Sequence, residues 1–238
     1  DVFAIDICAF AVMSNHVHLV LRVEQERVAS WSDEQVAARV SRVFKSVFAG
    51  FDDMPAPQQR ELVALWRGRL ASLSWVMRCL NEWLARRANE EDDCTGRFWE
   101  GRFKCQALLD EGALLACMSY VDLNPVRAKM ATGLEGSEYT SIRERLRASS
   151  VAKAKKRPQP TTPEGLVPMS GERKRRAEVE RLPISLTAYT ELLEWTGRAP
   201  RTDKAGTITG PPAKLLTDAE LSPDAWVETV RQWGSHVR

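Results

Sequence analysis

Apart from Asp6, residues 2–13 are apolar, mostly β-branched, aromatic or small, residues 17–23 repeat that character around His18 and Arg22, and the only polar pair between the runs is Ser14-Asn15 ahead of His16. Two such runs, one tight polar break apart, oblige the chain to form two antiparallel strands joined by a turn. Side chains alternate faces along a strand, so His16 and His18 share a face and Val17 takes the other.

Helical signals follow. Ser32-Asp33-Glu34-Gln35 has the form of a capping box, and Val36, Val40, Val43, Val47, Phe44 and Phe48 recur at helical spacing, which predicts a helix over 33–49. Gly50 and Pro55-Ala56-Pro57 break it. Leu62, Leu65, Trp66 and Leu70 mark a second helix and Leu73, Val76, Met77, Leu80 and Leu84 a third, closed by the acidic run Glu90-Glu91-Asp92-Asp93. Gly96-Arg97-Phe98-Trp99-Glu100-Gly101-Arg102-Phe103-Lys104 reads as a basic, aromatic loop, and the apolar stretch 105–109 after it as a strand. Asp110 caps a helix that turns Leu114, Leu115, Met118 and Leu123 inward and stops near Asn124, since Pro125 disfavours helical backbone in the residue before it. Tyr120 and Asn124 then lie one turn apart on one face.

Composition excludes more than it identifies. The 238 residues carry 34 lysines and arginines against 32 acidic residues, and a net charge of +2 argues neither for nor against a polyanionic partner. The longest uncharged apolar stretch, 7–21, is broken by Ser14, Asn15, His16 and His18, short of the roughly 18 apolar residues a membrane helix needs. Cys8, Cys79, Cys94, Cys105 and Cys117 are odd in number and form no CxxC pair, which speaks against a disulfide framework or a thiolate zinc site and favours a reducing setting. The chain starts at Asp1 inside an apolar run, and its natural N-terminus is expected upstream.

Between residues 143 and 181 there are 12 lysines and arginines against 5 acidic residues, with Pro158, Pro160, Pro163 and Pro168 and no sustained periodicity. This predicts an exposed basic linker over 149–182. Short amphipathic helices are expected at 187–195 and 223–233, the second capped by Ser222 with Pro223 at its first position and Gly234 past its end.

Singly, the polar candidates have ordinary explanations. His16 and His18 are half of a metal site, or strand histidines bonded to backbone. Tyr120 is a core tyrosine, and Asn124 the N-cap of a turn at 125–129. Together they are more specific. Met13-Ser14-Asn15-His16-Val17-His18-Leu19-Val20-Leu21, the 96–103 block above, and Tyr120-Val121-Asp122-Leu123-Asn124-Pro125-Val126-Arg127-Ala128 closely resemble, in order and wording, the REP-associated tyrosine transposases, relatives of the single-tyrosine HUH transposases of bacterial insertion sequences. The resemblance covers residues 5–145.

It implies an α+β fold with a ferredoxin-like HUH domain at 1–148, its central antiparallel sheet holding the histidines and a helix behind presenting the tyrosine. A family member would have a further strand and helix ahead of the hairpin, which this sequence does not include. Residues 24–71 become a helical insertion, 149–182 the linker and 183–238 a small helical C-terminal domain. On the same resemblance His16, His18 and Asn124 take metal-binding positions for Mg²⁺ or Mn²⁺, and Tyr120 is the nucleophile that forms a 5′-phosphotyrosine on single-stranded or hairpin DNA. Arg97, Arg102, Lys104 and Arg127, interleaved with Phe98, Trp99 and Phe103, suit phosphate neutralisation and base stacking, with a core-sealing loop as the ordinary alternative. Such a protein is expected in the bacterial cytoplasm at the nucleoid, without a membrane partner, as monomer or homodimer. Its rivals are a catalytically silent DNA-binding regulator derived from a transposase and a replication initiator or relaxase. The first needs neither the histidines nor Tyr120, and the second often carries paired tyrosines.

Overall fold

A hairpin with Ser14-Asn15 at its tip joins β1 (Ile5–Val12) to β2 (Val17–Val23), and the Met13 amide closes the turn on the His16 carbonyl at 2.9 Å. The computed structural model describes residues 2–156, 162–173, 179–199, 206–208 and 226–230. Among them the fold is mixed α+β, predominantly helical, with this two-stranded antiparallel sheet. The other edge of β1 is capped by short bridges: Val12 donates to the Tyr139 carbonyl at 3.0 Å, and the Ile7 carbonyl accepts from Val167 at 2.9 Å.

The chain divides into two compact units, and the boundary falls elsewhere than the sequence suggests. One comprises Asp1–Asp6 and Arg22–Lys104, the other Ile7–Leu21 and Cys105–Arg238.

The first unit contains α1 (Gln25–Ala29), α2 (Asp33–Ser41), a 3-10 turn at Phe51–Asp53, α3 (Ala56–Leu70) and α4 (Leu73–Glu91). The capping box forms as expected: Ser32 Oγ accepts from the Gln35 amide while the Gln35 side chain accepts from the Ser32 amide. The helix it starts ends at Ser41, well before the expected 49, and the chain continues in turns to Gly50. Those turns still bring Phe44 and Phe48 onto the core of Val28, Val36, Val40, Val63, Trp66 and Leu70, so apolar spacing outlasts the helix that generates it. Arg27, buried, makes a two-pronged pair with buried Asp6 at 2.8 and 2.9 Å. No residue of α4 is buried.

The second unit contains most of the hairpin with α5 (Glu111–Asp122), α6 (Asn124–Arg127), α7 (Ser141–Ala154) and α8 (Leu186–Arg198). Asp110 caps α5 by accepting from the Ala113 amide at 2.7 Å, as expected. Residues 105–109 form no strand and, apart from Leu108, are exposed. An apolar stretch becomes a strand only where an edge pairs with its amides, and among the described residues no strand pairs with this one. Asn124 is not the side-chain cap expected of it, because Leu123 stays helical and α6 continues almost directly from α5.

The expected linker needs the larger correction. Val167, Met169, Val179 and Leu182 are buried in one core with Cys8, Ala9, Ala11, Val20, Met118, Val121, Ile142, Tyr189 and Leu193. So Val167, Met169, Val179 and Leu182 of the expected linker, and Tyr189 and Leu193 of α8, belong to the same core as the hairpin. Lys153, Lys155 and Lys156 are exposed, and the high charge count hid a sparse set of apolar anchors between them. Residues 226–230 are helical, within the expected 223–233. The expected Ser222-Pro223 cap, Gly234 and the basic cluster at 174–176 lie outside the described residues.

Candidate functional site

His16 closes the turn and His18 is the second residue of β2, so strand alternation turns both imidazoles to one side. Their Nε2 atoms are 3.0 Å apart and their rings meet edge to face with centroids 4.7 Å apart. The Asn15 Oδ1 lies 2.6 Å from His16 Nδ1. An amide oxygen only accepts, so Nδ1 carries the proton and the lone pair of the neutral ring sits on Nε2, the atom facing His18.

This pair fits a divalent cation. Adjacent corners of an octahedron with bonds of about 2.1 Å are roughly 3.0 Å apart, the spacing at which the two Nε2 atoms are already held. Among the described residues no cluster of three or more His, Cys, Asp or Glu occurs. Asn124 is suited by type to a further ligand position. It is buried at the start of α6, one turn beyond Tyr120.

α5 carries Tyr120 to the histidines. Its ring stands edge to face with that of His18, centroids 5.7 Å apart. The residue is half-buried, and its other side packs on Ala116, Leu192, Trp226 and Val230. Thus His16, His18 and Tyr120 come together within one unit, and Asn124 lies buried at the start of the next helix.

Arg127 goes elsewhere. It is buried, and its guanidinium donates to the carbonyls of Thr196 at 2.6 Å, Ala199 at 2.9 Å and Gly206 at 3.1 Å. These carbonyls include the unpaired ones at the C-terminus of α8, where a cation is favoured by the helix dipole. The expected DNA contact is replaced by a brace, because a buried arginine must direct its donors to protein acceptors. Gly206 sits so close that a Cβ there would lie 1.8 Å from the Val126 carbonyl oxygen.

The basic loop belongs to the other unit. Arg97 folds it by donating to the Trp99 carbonyl at 2.8 Å and the Glu100 carbonyl, and Trp99 Nε1 anchors it to the Asn81 carbonyl of α4 at 2.9 Å. Arg102 and Lys104 are exposed, as are Phe98 and Phe103. Trp99 and Arg97 therefore shape the loop, and Arg102 and Lys104 present charge from it.

A buried polar network escaped the sequence reading. Asp122 is fully buried; Oδ1 accepts from Ser141 Oγ at 2.7 Å and the Ile142 amide at 2.9 Å, and Oδ2 from Tyr189 Oη at 2.7 Å. Burial pushes its carboxyl up, against the lowering effect of the hydrogen bonds from Ser141, Tyr189 and Ile142 and the charge of Arg145. Burial, and then the adjacent carboxylate, raise Tyr189 well above its ordinary value, which keeps its hydroxyl a donor. Arg145, also fully buried and held below its ordinary value by burial, donates to the Cys8 and Val167 carbonyls at 3.1 and 2.9 Å, with Glu172 at 3.6 Å. A legible signal existed: Asp122 follows Leu115 and Met118, and Arg145 follows Ile142, at the helical spacing of core positions.

No protein-family model, no curated protein and no solved structure matches this chain.

Proposed function

We propose that this chain is a DNA strand transferase of the single-tyrosine HUH kind, a transposase that cuts and rejoins single-stranded or hairpin DNA through Tyr120. The observation that carries the reading is the meeting of Tyr120 with the His16 and His18 pair. Motif resemblance contributed the residues; the contact of a helix tyrosine with His18, whose imidazole converges with that of His16, is an independent reason to group them. The ferredoxin-like family fold remains part of this proposal, as do the bacterial nucleoid setting and DNA as partner.

His16, His18 and Asn124 would hold Mg²⁺ or Mn²⁺, which when bound polarises a non-bridging phosphate oxygen and offsets charge on the leaving oxygen. Everything else falls to the chain's own residues. The Tyr120 oxygen forms a bond to phosphorus as the P–O3′ bond breaks, and the phenolic proton is balanced by the one gained at the 3′ hydroxyl. The Tyr120 phenolate is a good leaving group from the aryl phosphodiester, so attack by a 3′ hydroxyl breaks the P–O(Tyr) bond, reverses the step and consumes no ATP. Asn15 fixes the His16 tautomer, which leaves Nε2 free of a proton. Exposed Arg102 and Lys104 supply charge for phosphates.

The test is direct. Incubated with Mn²⁺ and labelled single strands or hairpins, the protein should become covalently attached to a 5′ end, and Tyr120→Phe should abolish the adduct while leaving DNA affinity within about twofold. An adduct that survives Tyr120→Phe and is lost with Tyr139→Phe would transfer the role, and DNA binding without any adduct would favour the silent regulator. Tyr139 is exposed, with φ +58°, in the turn before α7.

A further inference from the structure

We propose that helix α8 positions Tyr120, with Tyr189 and Arg127 as positioning residues; this rests on the reading of Tyr120 as nucleophile. Two residues along a helix are about 200° apart, so Tyr120 and Asp122 leave α5 in nearly opposite directions. Tyr120 faces His18, and Asp122 faces Tyr189 in the first turn of α8. The hydrogen bond therefore acts on the opposite side of the helix from the nucleophile.

Two further ties support the same helix pair. Arg127, just past α5, grips carbonyls at the far end of α8, so α8 is bound near both termini to the segment that carries Tyr120. Leu192 of α8 and Trp226 lie in the cluster on which the Tyr120 ring rests, and Trp226 Nε1 donates to Thr196 Oγ1 of α8 at 3.0 Å. A core needs none of these polar groups for burial alone, since apolar residues of similar volume fill space without a desolvation cost.

The lever is long. A tyrosine oxygen lies roughly 8 Å from its helix axis, so a 10° roll of α5 moves it by about 1.4 Å, and a misplacement of about 1 Å can cost on the order of a hundredfold in rate. Asp122 with Tyr189 opposes that roll, and Arg127 opposes sliding of α8 along α5.

The experiment compares the full chain with its Tyr189→Phe, Arg127→Lys and Tyr120→Phe variants by three readouts: single-turnover adduct formation at saturating hairpin with Mn²⁺, hairpin affinity, and the nuclear Overhauser contact between the His18 and Tyr120 rings without DNA. Tyr189→Phe removes one hydroxyl, and Arg127→Lys keeps the charge but loses the fork. Each should slow adduct formation at least about tenfold, leave affinity within about twofold and weaken the ring contact. Asp122→Asn, which can still hydrogen-bond Tyr189, should retain most of the parent rate. Wild-type rate and ring contact in both variants would overturn the inference, and if only one variant folds it decides alone. If the parent protein forms no adduct, the transferase reading falls, and the ring contact by itself decides whether α8 positions Tyr120.

Discussion

The imidazole of His18 on β2 and the phenol ring of Tyr120 on α5 meet edge to face, with centroids 5.7 Å apart and planes at 80°. A strand residue and a helix residue far apart in the chain thus share one patch of surface, half-buried on both sides. With its ring against Tyr120, His18 keeps its Nε2 directed at His16.

That arrangement predicts cation binding. Mn²⁺ titrated into the protein should bind at a single class of sites, and the double variant His16→Ala, His18→Ala should weaken binding at least about tenfold, since neutral oxygens alone hold a divalent ion poorly. Equal affinities measured by calorimetry for the two proteins would remove the histidines from the site. Asn15→Ala should weaken binding less, by releasing the His16 tautomer.

The loop makes a separable prediction about salt. Arg102→Gln with Lys104→Gln should reduce the slope of log affinity against log salt for a single strand by roughly 0.7 for each phosphate no longer neutralised. Arg97→Gln should instead loosen the loop, because its guanidinium holds the Trp99 and Glu100 carbonyls. Filter binding across a salt series distinguishes them: an unchanged slope in the double variant would leave Arg102 and Lys104 as solvated charges.

Breaking the Asp6–Arg27 pair should cost stability. Arg27→Met leaves a buried carboxylate, for which losses run to about 3–5 kcal/mol. The lower end, about 3 kcal/mol, is expected, because Arg22 still lies 3.9 Å from Asp6. Adding Asp6→Leu to Arg27→Met should restore much of it. Urea unfolding followed through tryptophan fluorescence reads this, and a midpoint unchanged by Arg27→Met would show that the pair contributes little.

Thiol chemistry reports the core of the second unit. Burial, with a smaller contribution from Cys8, pushes the Cys117 thiol from 9.0 up to about 11. The native state holds that proton where the unfolded chain releases it, so this group's contribution to stability is whole below pH 9 and is lost as pH rises from 9 to 11. At pH 8 iodoacetamide should label exposed Cys94 and Cys105 and spare Cys8 and Cys117, as read by peptide mass spectrometry. Labelling of half-buried Cys117 in folded protein as fast as that of Cys94 would contradict the raised pKa of its thiol.

Much of the local structure was legible without coordinates. The hairpin, the Ser32 capping box, the Asp110 cap and the helices at 56–70, 73–91 and 111–122 all follow from interactions within a few residues of chain. The shared face of His16 and His18 is likewise a matter of strand period. Where a prediction failed, a partner was missing or unforeseen: 105–109 has strand composition and no edge to pair with among the described residues, and α2 stops at Ser41 although apolar spacing runs on to Phe48.

The sequence by itself determined which residues could do chemistry and which turns, caps and helices would carry them, because period and capping are settled by near neighbours. Tertiary structure alone decided that Tyr120 meets His18, that Arg127 turns inward to the end of α8, and that Asp122, Tyr189 and Arg145 share a buried network. It also drew Val167 and Met169, from a stretch with the composition of a solvated linker, into the core. The physical reason is the same in each case. A charged or aromatic side chain is stable inside only where acceptors and surfaces from distant segments converge on it, and that convergence depends on packing between elements that no local window of residues contains.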